Sequence, residues 1–322
     1  MLVIDKIHGE IGDTLNVGLN ATQTPFFMTV DADSILEPQA IETNIYTLLS
    51  RPHTIAIGGG VYLLNGCEYK NGRLTKTQLP TSLVAAFQIG EYLRSFLFGR
   101  AGWNMLGGAL SYSGTNTLFE KEPVIAVGGY DVDNRAQDAE IIVHLHEKSR
   151  REKTPCRIHF TPASFAWTTV PSNLKSYWVQ RVHWQMGLLR SFLRYKKMFF
   201  NPKYGVTGLF TYPFYMFVEI FGCVIEFIAY AILLISWLLN RLDTTAAIVL
   251  FLVSWGFLSF ITVAVTAINF ISFNKYDFFK DELYMVFLSL FEILGFRQYL
   301  IVTRVYGTIK YFFKKMFKNK KR

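Results

Sequence analysis

Two aspartates separated by one small residue stand where a short apolar run, Phe26–Val30, ends in this 322-residue chain. The run predicts a buried strand that surfaces abruptly. With only Ala32 between them, the carboxylates of Asp31 and Asp33 can reach one cation, and hard oxygen ligands suit Mg²⁺ or Mn²⁺ that bridges phosphates. A solvated turn or a helix cap remains open, because this spacing occurs by chance in many proteins.

A third acidic residue, Asp138, lies near the start of a helix predicted from Gln137 to about Lys148. A carboxylate at this place can serve as the general base that removes a proton from an attacking sugar hydroxyl. It can equally be a helix cap, stabilised by the free N–H groups of the first turn. From these residues alone the cap is the favoured interpretation.

A predicted amphipathic helix, Asn173–Lys197, brings together an amide, a guanidinium and an indole at Gln180, Arg181 and Trp184. Its apolar residues recur at steps of three and four, which is typical of a helix entering a membrane surface. Interface anchoring explains the aromatic residues. It explains the polar grouping less well, since a guanidinium can hold a diphosphate and an indole can stack on a sugar ring.

The elements that must position these residues alternate between strands and helices. Besides Phe26–Val30 and the helix from Gln137, the pattern predicts a helix after Pro38, a helix from about Leu79 to Phe98, and strands at Thr54–Tyr62, Ala109–Ser113, Asn116–Phe119 and Arg157–Phe160. This order indicates an α/β layer fold with a partly parallel sheet, whose ligands gather at the carboxyl ends of strands. The triplet Gly58–Gly60 requires a close backbone approach or an unusual dihedral angle.

The last third of the chain is strongly apolar. Three runs are long enough to cross a bilayer: Gly208–Leu239, Ala246–Ile271 and Glu282–Phe313. The first is longer than one span needs, so a tilt, a kink at Pro213 or an interfacial start is expected. The third contains Glu292, Arg297 and Arg304, and is therefore either a span that faces protein or an interfacial helix. Two spans are predicted, and the third stays open.

The net charge of +9 is concentrated beside these runs, at Arg190–Lys203 and Lys314–Arg322. Such clusters suit an anionic inner leaflet, and their position disfavours a nucleic-acid partner. No signal peptide or anchor is recognised ahead of the soluble part. We therefore expect a multi-pass protein of the plasma membrane with a cytoplasmic catalytic domain. The side of the basic tail depends on the number of spans.

Three motifs, followed along the chain by predicted spans, resemble in type and order those of processive family-2 glycosyltransferases. They are Asp31-Ala32-Asp33, Asp138 and Gln180-Arg181-Val182-His183-Trp184. That family includes cellulose, hyaluronan, chitin-oligosaccharide and poly-N-acetylglucosamine synthases. The resemblance covers essentially the whole chain. It implies an A-type glycosyltransferase domain at residues 1–171, amphipathic interface helices at 172–205 and a transmembrane region with a basic tail at 206–322.

The resemblance also implies roles. Asp138 would be the catalytic base of an inverting displacement on a UDP-sugar, and Asp31 and Asp33 would bind nucleotide and Mg²⁺ or Mn²⁺. Arg181 would hold the leaving diphosphate, and Gln180 and Trp184 would bind the glycan acceptor. The growing glycan would enter a channel formed by the spans.

Three positions depart from the family pattern: Glu10 stands where lysine is expected, Gln137 replaces the glutamate before Asp138, and His183 replaces the arginine before Trp184. Nothing ahead of Phe26 matches the family's first nucleotide-binding unit, so we expect the domain to lack its amino-terminal part and strand Phe26–Val30 to expose an edge. A second polypeptide could supply that part. The alternative hypothesis is a degenerate relative that acts as a membrane assembly or binding subunit. A transferase acting on lipid phosphate fits the Gln180–Trp184 motif less well.

Overall fold

The computed structural model describes residues 2–107, 109–276 and 279–319. Its strands are β1 (Phe26–Thr29), β2 (Ser34–Leu36), β3 (Thr54–Leu63), β4 (Glu68–Lys70), β5 (Arg73–Lys76), β6 (Thr117–Glu120) and β7 (Arg157–Thr168). Its helices are α1 (Ile11–Ala21), α2 (Ala40–Leu49), α3 (Leu83–Leu93), α4 (Ala101–Met105), α5 (Lys121–Ala126), α6 (Gln137–Glu152), α7 (Leu174–Arg194), α8 (Tyr212–Phe214), α9 (Gly222–Leu238), α10 (Thr244–Ser272), α11 (Phe279–Phe291) and α12 (Phe296–Asn319).

Five strands form the main sheet in the order β1-β6-β3-β7-β2, and β4 pairs with β5 in a separate hairpin. Strands β3 and β7 run parallel, while the other pairs of the main sheet are antiparallel. The predicted partly parallel sheet is thus confirmed. Within the described residues β1 pairs with β6 alone, so the predicted exposed edge is present as well.

The glycine triplet of β3 serves close packing. A Cβ atom on Gly58 would lie 2.1 Å from the Tyr112 ring, and one on Gly59 would lie 2.2 Å from the side-chain amide of Asn116. The close-approach alternative is therefore the one observed. The residues that fill this space come from the segment before β6, where the predicted strand Ala109–Ser113 is wrong: the segment is buried but irregular.

The predicted helix from Leu79 begins later and continues further. It starts at Leu83, where the Ser82 side chain accepts a hydrogen bond from the N–H of Ala85 at 3.4 Å. At Arg94 it widens into a π-helical turn that reaches Arg100, and α4 then follows. This irregular end of the helix brings Arg100 towards the sheet, where its Nε donates to the Ser111 carbonyl at 2.9 Å.

Within the part of the chain that the structure describes, one helix, α10, is by itself long and apolar enough to cross a membrane. Two pairs of helices meet the same test only if each bent pair counts as one span: Thr207–Ile220 with Gly222–Leu238, bent by 42°, and Lys280–Phe291 with Phe296–Phe317, bent by 64°. The first bend lies next to Phe221 rather than at Pro213, which sits in the short α8 between two π-helical turns. A region of several spans stays a prediction.

The charged residues of the third apolar run face protein. Arg297 forms a bidentate ion pair with Glu226 on α9, with both N–O distances at 2.7 Å. Arg304 Nε donates to Gln185 on α7 at 2.9 Å. Glu292 accepts two hydrogen bonds from Arg94, at 2.5 and 2.7 Å. These pairings satisfy charges that would be costly beside lipid.

Helix α7 is packed between α6 and α12, and its apolar stripe, including Val182, Leu189 and Phe192, is buried against protein. Helices α10 and α11 contribute Val265 and Met285 to a hydrophobic cluster that also contains residues of β3 and β7. The division at residues 171 and 205 stays a prediction. Of the predicted basic tail, residues 320–322 lie outside the described residues.

Candidate active site

A cavity of about 460 Å³ opens where β1 and β7 end, between the sheet, the start of α6 and α7. All six residues predicted from the sequence as site residues line it: Asp31, Asp33, Asp138, Gln180, Arg181 and Trp184. They come from three separate parts of the chain, so the fold brings together side chains that are up to about 150 positions apart.

The loop that carries the two aspartates is held from both sides. Thr29 Oγ1 donates to the Gly114 carbonyl at 2.6 Å, and the N–H of Asp31 donates to Thr115 Oγ1 at 3.3 Å. Beyond β7, the Thr169 hydroxyl donates to a carboxylate oxygen of Asp33. The orientation of Asp33 is thus fixed by the end of β7, and the backbone of Asp31 by the segment before β6.

The electrostatics of the cavity fit a divalent cation. The cavity is lined by four carboxylates and three guanidinium groups, those of Asp31, Asp33, Glu91, Asp138, Arg100, Arg135 and Arg181. Although solvent reaches Asp31, the cavity walls desolvate its carboxylate and raise its pKa, and the neighbouring Asp33 charge raises it further. A diphosphate would add more negative charge, which a hard cation between Asp31 and Asp33 would offset.

The oxygen donors of Asp31 and Asp33 are of the type that Mg²⁺ and Mn²⁺ prefer, and phosphate oxygens or water would complete the coordination. Among the described residues no group of three or more His, Cys, Asp or Glu side chains is arranged to hold a metal ion. The protein therefore offers two carboxylates rather than a complete cage. That is the usual way in which Mg²⁺ is held beside a substrate phosphate.

Asp138 lies in the first turn of α6, half-buried in the cavity wall. Its carboxylate accepts a hydrogen bond from the N–H of the adjacent Ala139 at 2.9 Å, but the N-cap position of α6 is occupied by Ala136, and no side chain caps the helix there. Burial raises the pKa of Asp138, while the Ala139 N–H and the Arg100 guanidinium lower it, and the net direction is upward. A carboxylate with a raised pKa at a cavity surface is suited to accept a proton.

Two glycine contacts set the position of the loop before α6. Gly129 has a φ of +74°, and a Cβ atom there would lie 2.4 Å from the Asn16 side chain. That side chain accepts from the N–H of Tyr130 at 2.8 Å and donates to its carbonyl at 2.9 Å. On the other side, a Cβ atom on Gly187 of α7 would lie 2.5 Å from the Cβ of Ala136. Helices α1 and α7 thus hold the loop that leads to Asp138.

On α7, Arg181 is buried and already paired. It forms hydrogen bonds of 2.9 Å with both carboxylate oxygens of Glu91, and its guanidinium lies 4.3 Å from the centre of the Trp184 ring. Trp184 is 42% exposed and lines the cavity, and among the described residues the buried Gln180 Oε1 has no hydrogen-bond partner. Arg181 therefore supports the Trp184 indole, and its contact with a diphosphate stays a prediction.

Among the cavity residues that the sequence does not predict, three act directly on the predicted ones: Glu91, Arg100 and Thr169. Arg100 is the only one with a recognisable signal, because it is a lone cation that follows the apolar run Phe96–Phe98. Glu91 acts on the site because the fold brings α3 to Arg181 of α7, a contact that no local sequence pattern indicates. Thr169 follows a strand that was predicted to end eight residues before its observed end at Thr168.

Comparison with known proteins decides the family. A sequence model described as "Glycosyl transferase family group 2" matches residues 26–274, which is more than half of the chain. The chain belongs to this family. The resemblance inferred from the ordered motifs is confirmed at that level.

One curated relative is the poly-beta-1,6-N-acetyl-D-glucosamine synthase of Staphylococcus aureus, which is 27% identical over 196 residues. These residues are 60% of this chain and 43% of that protein. The synthase of the same name from Staphylococcus epidermidis is 25% identical over 184 residues, 56% of this chain and 40% of that protein. The matched part thus spans about two fifths of these relatives.

A solved mannosyltransferase from Pyrobaculum calidifontis, in complex with GDP-Man and Mn²⁺, superimposes with a TM-score of 0.55 at 13% identity, covering 98% of this chain and 70% of that chain. This likeness supports the predicted A-type α/β fold of nucleotide-sugar transferases. The absence of an amino-terminal part stays a prediction.

Proposed function

We propose that this family-group-2 chain is a membrane-bound inverting glycosyltransferase that moves a sugar from a UDP-sugar to a growing β-linked polysaccharide. The observation that carries the proposal is the single cavity lined by Asp31, Asp33, Asp138, Gln180 and Trp184. The name of the staphylococcal relatives suggests N-acetylglucosamine as the first sugar to test.

In the proposed reaction, Asp138 accepts the proton of the acceptor hydroxyl. The resulting oxygen nucleophile attacks the anomeric carbon of the donor from the side opposite the diphosphate. The new glycosidic bond forms as the bond from that carbon to the diphosphate oxygen breaks, and UDP departs. Attack from the opposite side inverts the anomeric configuration. Gln180 and Trp184 would hold the acceptor sugar by an amide hydrogen bond and ring stacking.

Asp31 and Asp33 would hold Mg²⁺ or Mn²⁺ on the donor diphosphate, where the cation supplies positive charge for the departing group. Thr169 and Thr115 keep this pair in place through the hydrogen bonds described above. Arg100 and Arg181 would add guanidinium charge at the cavity wall.

The chain would act as a multi-pass protein of the plasma membrane, with the cavity on the cytoplasmic side and lipid around α9 and α10. The outward-facing apolar residues of these helices, including Ile228, Leu234, Val253 and Phe257, support lipid around α9 and α10. A glycan acceptor is the expected partner, and a second polypeptide that pairs with the exposed edge of β1 would complete the nucleotide pocket.

The direct test uses membranes that contain this chain, supplied with UDP-N-acetylglucosamine or another UDP-sugar and Mn²⁺. We expect UDP release and polymer, both abolished by chelation of divalent cations and restored by adding Mn²⁺. Asp138→Asn should lower the rate by roughly 10²-fold or more, because general-base catalysis contributes about that much.

The matched control is Asp243→Asn, a helix-capping aspartate outside the cavity. The competing hypothesis is a degenerate assembly subunit, favoured by Gln137 and His183 at positions where the family has other residues. No UDP release with any common UDP-sugar would favour that hypothesis, whereas release that depends on Asp138 would reject it.

A further inference from the structure

A second cavity, of about 510 Å³, lies on the other side of the loop that precedes α6. Its walls are that loop, the middle of α7 and the last turns of α12. Its charged and titratable lining residues are Glu10, Asp133, Arg135, His183, Arg190, Lys310, Tyr311, Lys314 and Lys315. Neither Asp31, Asp33 nor Asp138 lines it, so it is distinct from the candidate active site.

The lining carries more positive than negative charge, with five lysine and arginine side chains against two carboxylates. Both carboxylates are already paired, Glu10 with Arg135 at 3.6 Å and Asp133 with Arg190 at 3.1 Å. In the part of the chain that the structure describes, Lys310, Lys314 and Lys315 have no ion-pair partner. Three unpaired ammonium groups around one concavity form a site for a polyanion.

His183 contributes a directed hydrogen-bonding group. Its Nε2 lies 3.0 Å from an Nη atom of Arg135. Because a guanidinium can only donate, Nε2 is the acceptor, and the proton of a neutral imidazole is therefore assigned to Nδ1. Burial lowers the pKa of His183, and so do the nearby charges of Arg135, Lys310 and Lys314, while Glu10 opposes them. The neutral ring thus has its N–H donor at Nδ1, and His183 lines the cationic cavity.

The outer surface of α12 places this cavity beside apolar surface. Residues of the same helical turns expose large apolar side chains, namely Ile309, Phe312, Phe313, Met316 and Phe317. A helix with lysines on one side and exposed aromatic residues on another is typical of a membrane–water boundary. Anionic lipid headgroups are concentrated at such a boundary.

We propose that this cavity binds a phosphate-bearing ligand, which is either the headgroup of an anionic lipid or a free phosphate compound. Lys310, Lys314 and Lys315 would neutralise its charge, and His183 would donate to a phosphate oxygen. Arg135 lines both cavities and comes three residues before Asp138. A bound phosphate would compete with Glu10 and His183 for the Arg135 guanidinium, and would thereby act on the loop that carries Asp138.

Binding of this ligand is independent of sugar transfer, and only the effect on the Asp138 loop rests on the proposed function. The test therefore measures binding to the full chain in nanodiscs. In the lipid arm, the discs contain equal amounts of phosphatidylglycerol and phosphatidylcholine, and native mass spectrometry records the lipids retained. In the free-phosphate arm, inorganic pyrophosphate is titrated calorimetrically into the chain in phosphatidylcholine discs, without divalent cations.

Lys310→Gln with Lys314→Gln removes two of the three unpaired charges. The charge-matched control, Lys70→Gln with Arg73→Gln, changes an exposed hairpin that lines neither cavity. Each variant is checked by its melting curve, and the single variant Lys314→Gln replaces the double one if the latter unfolds.

We expect preferential retention of phosphatidylglycerol, binding of pyrophosphate, or both, weakened roughly tenfold by the lysine variant and unchanged in the control. The arm that responds identifies the source of the phosphate. Absence of binding in both arms, or binding that the lysine variant leaves undiminished, overturns the proposal. A change in UDP release between the two kinds of disc is a second readout. If the chain releases no UDP, the binding measurements alone still decide whether the second cavity binds a phosphate-bearing ligand.

Discussion

The carboxylate of Asp138 experiences opposing influences in the candidate active site. Desolvation favours its protonated form, whereas the Ala139 N–H and the charge of Arg100 favour the ionised one. Desolvation is the largest of these effects, so its pKa lies above the ordinary value of an aspartate. A general base acts only when deprotonated. The pKa of Asp138 therefore predicts where activity is lost as the pH falls.

We predict that the acid limb of the kcat/KM profile lies at a higher pH than an ordinary aspartate would give. Arg100→Met removes a charge that lowers the pKa of Asp138, so this variant should move the acid limb to still higher pH. Arg73→Met, on the exposed hairpin, should leave the limb in place. An acid limb that Arg100→Met leaves unchanged would contradict the assignment of this limb to Asp138.

Glu91→Gln should destabilise the protein, because Arg181 would remain buried without its counter-charge. Breaking a buried ion pair costs about 3–5 kcal/mol, and the partial exposure of Glu91 places this pair at the lower end of that range. Thermal unfolding in detergent measures the effect. Glu68→Gln in the exposed pair with Lys76, whose ions are 3.8 Å apart, should cost less than about 1 kcal/mol. Equal losses of unfolding free energy in Glu91→Gln and Glu68→Gln would mean that the buried pair with Arg181 stabilises the protein no more than the exposed one.

At the scale of elements, local signals in the sequence predicted well where they were strong. Strand β1, strand β3 and helix α6 all lie where periodicity and turn residues placed them. The strand prediction for Ala109–Ser113 is wrong because a buried irregular segment has the same apolar pattern as a strand. The Ser111 carbonyl of this segment accepts from Arg100 rather than from a neighbouring strand. The π-helical turn at Arg94 leaves no sequence pattern, since it depends on contacts with α10 and with the turn after α11.

In the candidate site, too, the sequence predicts the residues that have a strong local signal and not those that depend on neighbouring elements. Motif residues such as Asp31 and Trp184 could be named in advance, because their order along the chain is characteristic. Their partners could not. Glu91, Arg100 and Thr169 act on the motif residues from α3, from the adjoining π-helical turn and from the end of β7, and single-sequence reasoning does not reveal which elements will be neighbours.

Gly129→Ala tests how α1 holds the loop before α6. Gly129 and Gly72 have similar φ angles, +74° and +72°, so alanine costs about 1 kcal/mol of backbone strain at either place. Only at Gly129 would the added Cβ meet the Asn16 side chain. We therefore expect Gly129→Ala to lose more stability in thermal unfolding and to lower UDP release, whereas Gly72→Ala loses stability alone. Matching losses in the two variants would rule out a role for the Asn16 contact.

At the scale of the whole molecule, ion pairs and hydrogen bonds join the sheet domain to the apolar helices. Arg94 contacts both Glu292 and Thr262, and Lys275 Nζ lies 2.8 Å from each carboxylate oxygen of Glu37. Arg94→Met should destabilise the protein strongly, because it leaves Glu292 buried and unpaired.

The double variant Arg94→Met with Glu292→Met should recover part of that loss, since it removes both charges and keeps apolar volume. The free energies of unfolding in detergent of Arg94→Met, Glu292→Met and the double variant give the coupling free energy between the two residues. Additive losses would show that the two residues do not act as a pair.

The interface between the sheet and helices α10 and α11 bears on how members of this family can diversify. Tyr62 of β3 donates to Asn269 of α10, and Trp167 of β7 packs in the same cluster as Met285 of α11. A substitution on one side of this interface changes what is acceptable on the other. Exchange of the apolar helices α10 and α11 between relatives would therefore succeed only when β3, β7 and the π-helical turn that contains Arg94 are inherited together with them.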